Sequence, residues 1–506
     1  MVASLLKILT SGIQDERVFY EDTLYPFIKL FKKAGRFTTQ WNRIDFDSVP
    51  QFSQTAYFTI TNRGHLVTRL YLVAELPDIY TKQAEAIAAS GLAFAGPRFG
   101  WTNSLGHALV QNATLTIGGS KVETLDSRQL EVLDEYTTPL EKTTVVNKLI
   151  ARADNGFTQT TFGNNPIPTR VAIPLPFWFC RGDPGCALPI DAILADEVRV
   201  GVSFRGINGL YYTNSRTVNN TSIDQGTSLW TITNSNFYQA DASGTIVPGI
   251  SSEPVSIIPG IQMPGTFNLG ETYIMAEYVY LDQPEANRFR IADLQVPITQ
   301  HYALEPFQTQ GLPRVRIKVD IPNPTRDLYW FIQREESPTY NAHFLATRDL
   351  ASINSPAGSI WWPNATGLSA TQPGALRPGF AYSDSEPVAS MALMYEGSLV
   401  RMRTQAPALY RSILPSLEQK KSPWINRYYY NLPIGIQNVY TPPSRPTGEG
   451  NLDRMKNREL VLEFAPNRGS FNPNNVNRYI VYVFAETYNI LRVYGGRAGL
   501  LFAYTG

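Results

Sequence analysis

The sequence is poor in the residues that most often carry chemistry. It contains two cysteines and four histidines among 506 residues. Two cysteines cannot supply the disulfide framework of a small secreted domain. No two histidines have the spacing of a helical zinc site, and neither a G-x-S-x-G serine elbow nor a GKS/GKT phosphate-binding loop occurs. We therefore predict no catalytic residue, no cofactor and no metal site, and structural roles for His65, His107, His301 and His343.

Charge and long apolar runs are scarce as well. Charged residues make up 17% of the chain, and the formal net charge is +1. A protein that coats nucleic acid by neutralising phosphates usually carries a basic arm or patch, so we predict no direct nucleic-acid contact. No stretch approaches the roughly 18 apolar residues of a membrane span, and the apolar residues 1–9 do not form a signal peptide. The expected site of synthesis is the cytosol.

The chain is rich in the residues that form short strands and turns. It is 43% hydrophobic and 12% aromatic, with 36 glycines and 36 prolines. This composition favours many β-strands separated by turns and argues against disorder. A chain of this length is also too long for one core, and two to four domains are expected.

A β-module occurs twice. Thr68–Leu76 and Thr325–Ile332 each begin with Thr-Arg and continue as a dense apolar, aromatic-rich run. Each run follows a strand of alternating polarity, at 56–61 and at 315–321. The density predicts strands that are covered on both faces. Two similar all-β units without recognisable catalytic residues indicate a structural protein rather than an enzyme.

The pattern of strands and polar stretches divides the chain. Two stretches rich in small polar residues, 206–270 and 337–395, read as long excursions between strands. The polar, Pro-containing segment after 282 is the candidate linker. We predict an N-terminal arm at 1–25, a first domain at 26–282, a linker at 283–293 and a second domain at 294–506.

Three local patterns predict particular elements. Gly118-Gly119 lies between alternating segments and predicts a tight hairpin. Asp126, with Gln129 three residues later, predicts the start of a helix that Pro139 ends, with Leu130, Leu133 and Tyr136 facing inward. The segment 171–179 predicts a strand that its two prolines place at a sheet edge or a bulge.

Two short motifs have a functional and a structural reading. Cys180 and Cys186 flank Arg181-Gly182-Asp183, which is either an adhesion tripeptide or a turn made from turn-forming residues; the turn is favoured, and a disulfide is not expected in the cytosol. Sequons for glycosylation occur in both excursions. Asn220 and Asn364 are the candidate attachment sites.

Motifs spread along nearly the whole chain, in order, resemble those of one family: the major capsid proteins of nucleocytoplasmic large DNA viruses, such as chlorella viruses, iridoviruses and marseilleviruses. Two departures are His65 after Gly64, where the family usually has Asp, and Asp453, where it often has Ser. The segments that carry the resemblance are Gly12–Asp15 with Pro26–Lys29, Phe58–Gly64, Trp101–Ala108, Leu175–Phe179 with Ala187–Pro189, Glu277–Asp282, Asn451–Arg454, and Asn489–Val493 with Gly495-Gly496.

This resemblance implies an all-β double jelly roll, two antiparallel eight-stranded β-sandwiches in tandem with a few short helices and long loops. It further implies a homotrimer of pseudo-hexagonal outline that contacts neighbouring capsomers in an icosahedral shell assembled in the host cytoplasm. The N-terminal arm would meet minor capsid and penton proteins, and the outer loops would contact the host surface.

A second reading is a carbohydrate- or receptor-binding jelly roll of the fibre or lectin kind. The two readings differ in assembly, because a capsid protein forms stable trimers and then arrays, whereas a lectin binds sugar as the free protein.

Overall fold

Short antiparallel strands build most of the molecule. The computed structural model describes residues 35–78, 99–152, 170–213, 216–218, 222–224, 239–240, 246–247, 267–335, 343–344, 346, 386–395, 399–404, 406–423, 427–435, 446–465 and 478–502. Residues 37–506 group into one unit and residues 1–36 into another. The predicted arm at 1–25 lies outside the described residues, and the elements below all belong to the larger unit.

The first sandwich consists of two four-stranded sheets. One sheet has the strand order β1-β8-β3-β6 and the other β2-β7-β4-β5, so that the chain crosses repeatedly between the sheets, the winding of a jelly roll. The strands are β1 (Phe37–Ile44), β2 (Thr55–Thr59), β3 (Leu66–Glu75), β4 (Val110–Ile117), β5 (Ser120–Asp126), β6 (Arg170–Pro174), β7 (Val198–Phe204) and β8 (Thr272–Leu281).

The second sandwich repeats this winding. Its sheets have the central orders β9-β16-β11-β14 and β10-β15-β12-β13, the same order with eight added to each label. The predicted double jelly roll is confirmed. The strands are β9 (Leu294–Ala303), β10 (Arg314–Lys318), β11 (Thr325–Arg334), β12 (Val388–Tyr395), β13 (Leu399–Thr404), β14 (Tyr429–Pro433), β15 (Glu459–Phe464) and β16 (Tyr479–Tyr494).

Helices and minor strands fill the connections. The helices are α1 (Leu105–Leu109), α2 (Ser127–Thr137), α3 (Leu140–Leu149), α4 (Gln283–Ile291) and α5 (Leu414–Glu418), the last preceded by a π-helix at Leu409–Ile413. Short 3₁₀ turns are Trp178–Cys180, Pro184–Cys186, Ile190–Ala192, Ile207–Gly209 and Leu452–Arg454. Minor strands are Phe99–Trp101, Tyr211–Thr213, Arg216–Val218, Ser222–Asp224, Gln239–Ala240, Ile246–Val247, Phe307–Gln308 and Arg497–Leu500. Within the described part of the chain, no helix is long and apolar enough to cross a membrane.

The local predictions hold at the hairpin and the helix. Gly118 and Gly119 both have positive φ, 56° and 80°, and join β4 to β5 as predicted. Asp126 caps α2 in a capping box with Gln129, and the helix ends at Thr137, just before Pro139. These positions follow from local backbone chemistry, because glycine enters the left-handed region with less strain than other residues and the Asp126 side chain accepts a hydrogen bond from Arg128 N at the start of the helix.

The two repeated segments were predicted to form strands covered on both faces, and burial confirms this for the second segment but not for the first. Every residue of β11 is buried, as expected for a strand covered on both faces. In β3 burial alternates from Leu70 onward, with Leu70 buried and Tyr71 half-buried, so the prediction of two covered faces is wrong there. The two sandwiches therefore have different surroundings although they have the same winding.

Three boundaries differ from prediction. The strand expected at 171–179 stops at Pro174, because residues 178–180 form a 3₁₀ turn; it is nevertheless an edge strand, as its prolines predict. Residues 388–395 of the expected second excursion form β12. The candidate linker contains helix α4, which Asp282 caps through Gln283 N.

The two sandwiches are equivalent in fine detail. A β-bulge lies beside Glu277 in the pairing of β8 with β3 and beside Glu486 in the pairing of β16 with β11. These registers pair Ala276 with Leu70 and Ala485 with Leu328. Leu70-Tyr71 therefore corresponds to Leu328-Tyr329, and the two Thr-Arg pairs of the sequence are offset by one residue.

A pair of isolated bridges supports the same alignment. Val67 bridges Leu188 in the connection after β6, and Thr325 bridges Gly450 in the connection after β14. In each case a 3₁₀ turn begins two residues later, at Ile190 and at Leu452. A duplication of one sandwich accounts for both sets of contacts.

Candidate functional site: the interface between the sandwiches

Helix α2 of the first sandwich joins the two hydrophobic cores. Leu130 packs into the core of the first sandwich, whereas Val132, Leu133 and Tyr136 pack into that of the second. The ring centroid of Tyr136 lies 5.4 Å from that of Tyr329 on β11. The inward positions predicted from helical spacing are therefore buried, but in two cores, because the helix lies between the sandwiches.

A group of buried charges surrounds α2, and we call it the helix cluster. Its residues are Ser104, His107, Glu131, Asp134, Glu135, Asn147, Arg152, Lys421 and Arg427. Seven of them belong to the first sandwich, and Lys421 and Arg427 come from the connection before β14 of the second. All have side chains at or near complete burial, so the charges face one another and not water.

Glu131 is the centre of the helix cluster. It accepts hydrogen bonds from Ser104 Oγ at 3.0 Å and from His107 Nδ1 at 2.7 Å. Arg152 donates a further hydrogen bond to it, and Arg427 Nη1 donates at 2.9 Å from the other sandwich. Four donors thus converge on one carboxylate.

The charge of Glu131 is stabilised by these neighbours. Burial alone would raise its pKa, but Arg152, His107 and Arg427 hold the pKa of Glu131 well below its usual range. Burial likewise opposes ionisation of Asp134, and Arg152 and His107 lower the pKa of that carboxyl. Glu131 and Asp134 are therefore ionised at neutral pH.

Arg427 extends the helix cluster across the interface. Its Nη1 donates to Glu135 Oε2 at 2.9 Å as well as to Glu131. Lys421 Nζ lies 3.4 Å from the same Glu135 oxygen. Separating the sandwiches would leave two carboxylates of α2 without these partners, and an uncompensated buried charge is costly.

A second group of polar side chains, the turn cluster, joins the sandwiches through the 3₁₀ turn Trp178–Cys180. Its residues are Glu123, Arg181, Thr299, His301, Arg326 and Glu486. Arg181, directly after the turn, donates from Nη1 to Glu486 Oε1 at 2.5 Å and to Thr299 Oγ1 at 2.7 Å. Arg326 Nη1 lies 3.6 Å from the same Glu486 oxygen.

The neighbouring charges shift the pKa values of two residues in the turn cluster, Glu486 and His301. Burial would raise the pKa of Glu486, but Arg181 and Arg326 lower it below its usual range. Burial and Arg181 together lower the pKa of His301, although Glu123 opposes them. His301 is thus neutral beside a buried carboxylate and a buried guanidinium.

This arrangement decides between the two readings of Arg181-Gly182-Asp183. The Arg181 guanidinium is engaged between the sandwiches, and the Asp183 side chain accepts a hydrogen bond from Gly185 N at 3.0 Å. An adhesion motif needs both side chains available to a receptor, so the tripeptide is a structural turn. Cys180 and Cys186 are free thiols, and burial raises the pKa of Cys180.

The remaining histidines have structural contacts. His65 Nδ1 accepts a hydrogen bond from Leu281 N at 2.8 Å, which fixes the chain after β8. His343 Nε2 donates to Gly209 O at 2.7 Å and so joins the beginnings of the two predicted excursions. In the residues that the structure describes, no group of three or more His, Cys, Asp or Glu side chains could hold a metal ion. The sequons Asn220 and Asn364 lie outside the described residues.

Sequence reasoning missed the charged residues of both clusters. Glu131 and Asp134 occupy positions of α2 that would face solvent on a helix packed against one core. Glu277 and Glu486 carried a usable signal, since each interrupts an apolar strand after an alanine, and a charge in such a strand implies a buried partner. The partner itself comes from a distant segment, which local patterns do not identify.

Two tandem jelly rolls joined by buried ion pairs place the chain among the double jelly-roll proteins. Two family models match: "Major capsid protein N-terminus" over residues 26–282 and "Large eukaryotic DNA virus major capsid protein" over residues 290–499. The chain belongs to this family of major capsid proteins, whose members form the shell of the virion.

Individual relatives are distant but extensive. The major capsid protein of Phaeocystis pouchetii virus is 22% identical over 578 aligned positions, covering 99% of this chain and 100% of the relative. "Probable capsid protein 4" of Acanthamoeba polyphaga mimivirus is 25% identical over 211 residues, 42% of this chain and 39% of that protein. The PBCV-1 virus capsid has the same fold, with a TM-score of 0.65 at 17% identity over 94% of this chain and 100% of that one.

The helix cluster predicts a large effect of one substitution. Arg427→Ala removes the cation that the second sandwich places against Glu131 and Glu135, and we expect the free energy of unfolding to fall by roughly 3 to 5 kcal/mol. Arg314→Ala is the matched control, because Arg314 pairs with Glu463 at 3.5 Å while both side chains are about half exposed; its expected cost is below about 1 kcal/mol. Urea unfolding followed by tryptophan fluorescence measures both, and equal losses would contradict a special role for the cluster.

His343 predicts a specific pH dependence. Burial, with Arg205 nearby, lowers the pKa of His343 to about 3, whereas an unfolded histidine titrates near 6.5. The unfolded chain therefore takes up the proton first, and the stability from neutral His343 is complete above about pH 6.5 and is lost as the pH falls toward 3. Between pH 7 and pH 4.5 this loss amounts to roughly 2 to 3 kcal/mol.

The His343→Gln variant isolates this effect, because glutamine can still donate to Gly209 O but does not titrate. We expect the difference in unfolding free energy between pH 7 and pH 4.5 to be smaller in the variant by that amount. Urea titrations at the two pH values provide the measurement. An unchanged difference would show that His343 does not contribute to acid sensitivity.

Proposed function

We propose that the chain forms homotrimeric capsomers of pseudo-hexagonal outline that tile the icosahedral shell of a large DNA virus. The observation that carries the proposal is the equivalence of the two sandwiches, down to the bulges beside Glu277 and Glu486. Three chains that each supply two equivalent units can close a ring with six similar positions. This role requires no chemistry, and we propose that the protein has no enzymatic activity.

The same proposal assigns parts to the segments of the chain. Residues 26–282 and 294–506 are the two jelly-roll domains, joined by 283–293; the strands that begin at Phe37 and Leu294 support this division. The arm at 1–25 faces the interior and contacts minor capsid and penton proteins. The capsomer contacts its neighbours through the sides of the ring and needs no direct contact with nucleic acid.

The excursions are proposed to form the outer surface. Antiparallel strands place every second connection at the same end of a sandwich, and the connections after β7 and β11 both start at one end. The hydrogen bond from His343 to Gly209 supports this, since it joins the two connections near their beginnings. Contact with the host surface, and any sugar on Asn220 or Asn364, belongs at this end.

Light scattering coupled to size exclusion tests the trimer. We expect a stable species of three times the 56.6-kDa chain mass at micromolar concentration, because obligate contacts of this kind bury more than about 2,000 Å². A monodisperse monomer under these conditions would refute the capsomer proposal.

Limited proteolysis of intact particles tests which end is outermost. Cleavage within 206–270 and 337–395 is expected before any cleavage within 1–25, since exposed connections are cut first. Mass spectrometry of the released peptides also reports whether Asn220 or Asn364 carries a sugar. Early cleavage in the arm with both excursions protected would mean that the inside and outside have been interchanged.

A further inference from the structure

We propose that the outward face of the β1-β8-β3-β6 sheet is the docking surface for the helical segment Leu409–Glu418 of a second copy of this chain. This inference rests on the trimer proposed above and identifies the surfaces that would hold it together. It follows from a difference between two equivalent faces, one of which is covered within the chain.

Strand registers fix the equivalence of the faces. Glu277 pairs with Trp41 and Arg69, and Glu486 pairs with His301 and Asp327. One pair further along, Met275 pairs with Tyr71 and Phe484 with Tyr329. The first face therefore carries Trp41, Arg69, Tyr71, Tyr273, Met275 and Glu277, and the second carries, in the same order, His301, Asp327, Tyr329, Tyr482, Phe484 and Glu486.

The second face is completely covered, and the first sandwich covers it. The ring of Tyr136 of α2 packs against that of Tyr329 at a tilt of 44°, and the Arg128 guanidinium of the same helix lies 4.3 Å from the ring centroid of Tyr482. All six residues of the second face are buried. Helix α2, which begins directly after the end of β5, is thus the element that seals the equivalent face of the next sandwich.

The first face has no such cover among the described residues. Trp41 is 42% exposed, and the Arg69 side chain is 48% exposed. Tyr71, whose equivalent Tyr329 is 2% exposed, remains only half-buried, with its ring 5.9 Å from that of Trp41. A broad aromatic sheet face of this kind marks an interaction surface.

The second sandwich carries the element that matches this face. The helical segment Leu409–Glu418 follows β13 as α2 follows β5, in the equivalent connection. On its inner side Tyr410 packs on Trp330, with ring centroids 5.5 Å apart. On its other side Ile413 and Leu417, four residues apart, are 52% and 64% exposed. Apolar side chains at this spacing share one helix face and need a partner.

Among the described residues, one face and one helix are joined within the chain, whereas the face with Trp41 and Tyr71 and the side of the other helix with Ile413 and Leu417 are at least partly exposed. Joining the free helix of one copy to the free face of the next repeats the interface within the chain. Such head-to-tail contacts are heterologous and produce a closed ring when the rotation permits. The partner that fits the face is accordingly a second copy of this chain.

Complementary variants test the pairing. Tyr71→Glu places an unpaired carboxylate on the face and Leu417→Glu places one on the helix, and each should raise the dissociation constant of the trimer by roughly 1,000-fold or more. Each variant alone should run as a monomer in light scattering at micromolar concentration. A mixture of the two should form a heterodimer, because the intact helix of Tyr71→Glu can still bind the intact face of Leu417→Glu.

Leu312→Glu is the matched control, since Leu312 is 56% exposed on neither surface; it should remain a trimer. If the wild-type protein is itself a monomer, the trimer proposal fails. If the wild-type protein is a trimer and both variants remain trimers, the trimer stands and the docking surface is wrong. Monomeric variants that do not pair on mixing would also refute the head-to-tail contact.

Hydroxyl-radical footprinting of the unmodified trimer provides a test that requires no folded variant. Trp41 and Tyr71 should label far less than Tyr494, which is 73% exposed in the chain. In monomeric Leu417→Glu their labelling should rise. Strong labelling of Trp41 in the trimer would overturn the inference. Equal protection of Trp41 in the monomer would also overturn it, because the face would then be covered within the single chain.

Discussion

The pairing of buried charges across the interface is the constraint on which the rest of this structure depends. Glu131 sits in a dry environment and is stable only because donors from both sandwiches converge on it. Arg427 cannot leave Glu131 and Glu135 without exposing uncompensated charge inside the protein. These contacts therefore favour the observed relative orientation of the sandwiches over one that separates Arg427 from Glu131 and Glu135.

This constraint explains why two equivalent sandwiches look different. In the second sandwich the outward face of the β11 sheet is part of the interior, because α2 and Arg181 close over it. The same positions of the first sandwich carry aromatic and charged residues that remain partly exposed in the single chain. The duplicated unit thus presents the same face twice, once covered within the chain and once exposed. A protein that forms a ring of identical chains needs such an exposed face for its neighbour.

Much of the fold was readable from local chemistry. The Gly118-Gly119 hairpin and the Asp126 cap were predicted because a positive φ and an unsatisfied helix terminus each demand particular residues. The boundary of β6 was misjudged, because apolar residues up to Phe179 continue the strand pattern while the backbone turns into a 3₁₀ helix under the second sandwich. Glu486 carried a signal, as a charge within an apolar strand, but the partners of the other charged residues come from distant segments that local patterns do not identify.

By itself the sequence determined the class of fold, its duplication, the main turns and helix ends, and the family to which the chain belongs. The all-β class, the duplication, the turns and the helix ends depend on periodicity and on residues whose conformational preferences act over a few positions, whereas the double jelly roll and the family follow from the resemblance of motifs along the chain. Only the tertiary structure decided that Glu131, Arg152 and Arg181 are interior residues, and that Tyr329 is covered while Tyr71 is not. Burial is a property of what packs against a surface: Glu131, Arg181 and Tyr329 meet residues of the other sandwich, and Arg152 is buried against Glu131 and Asp134.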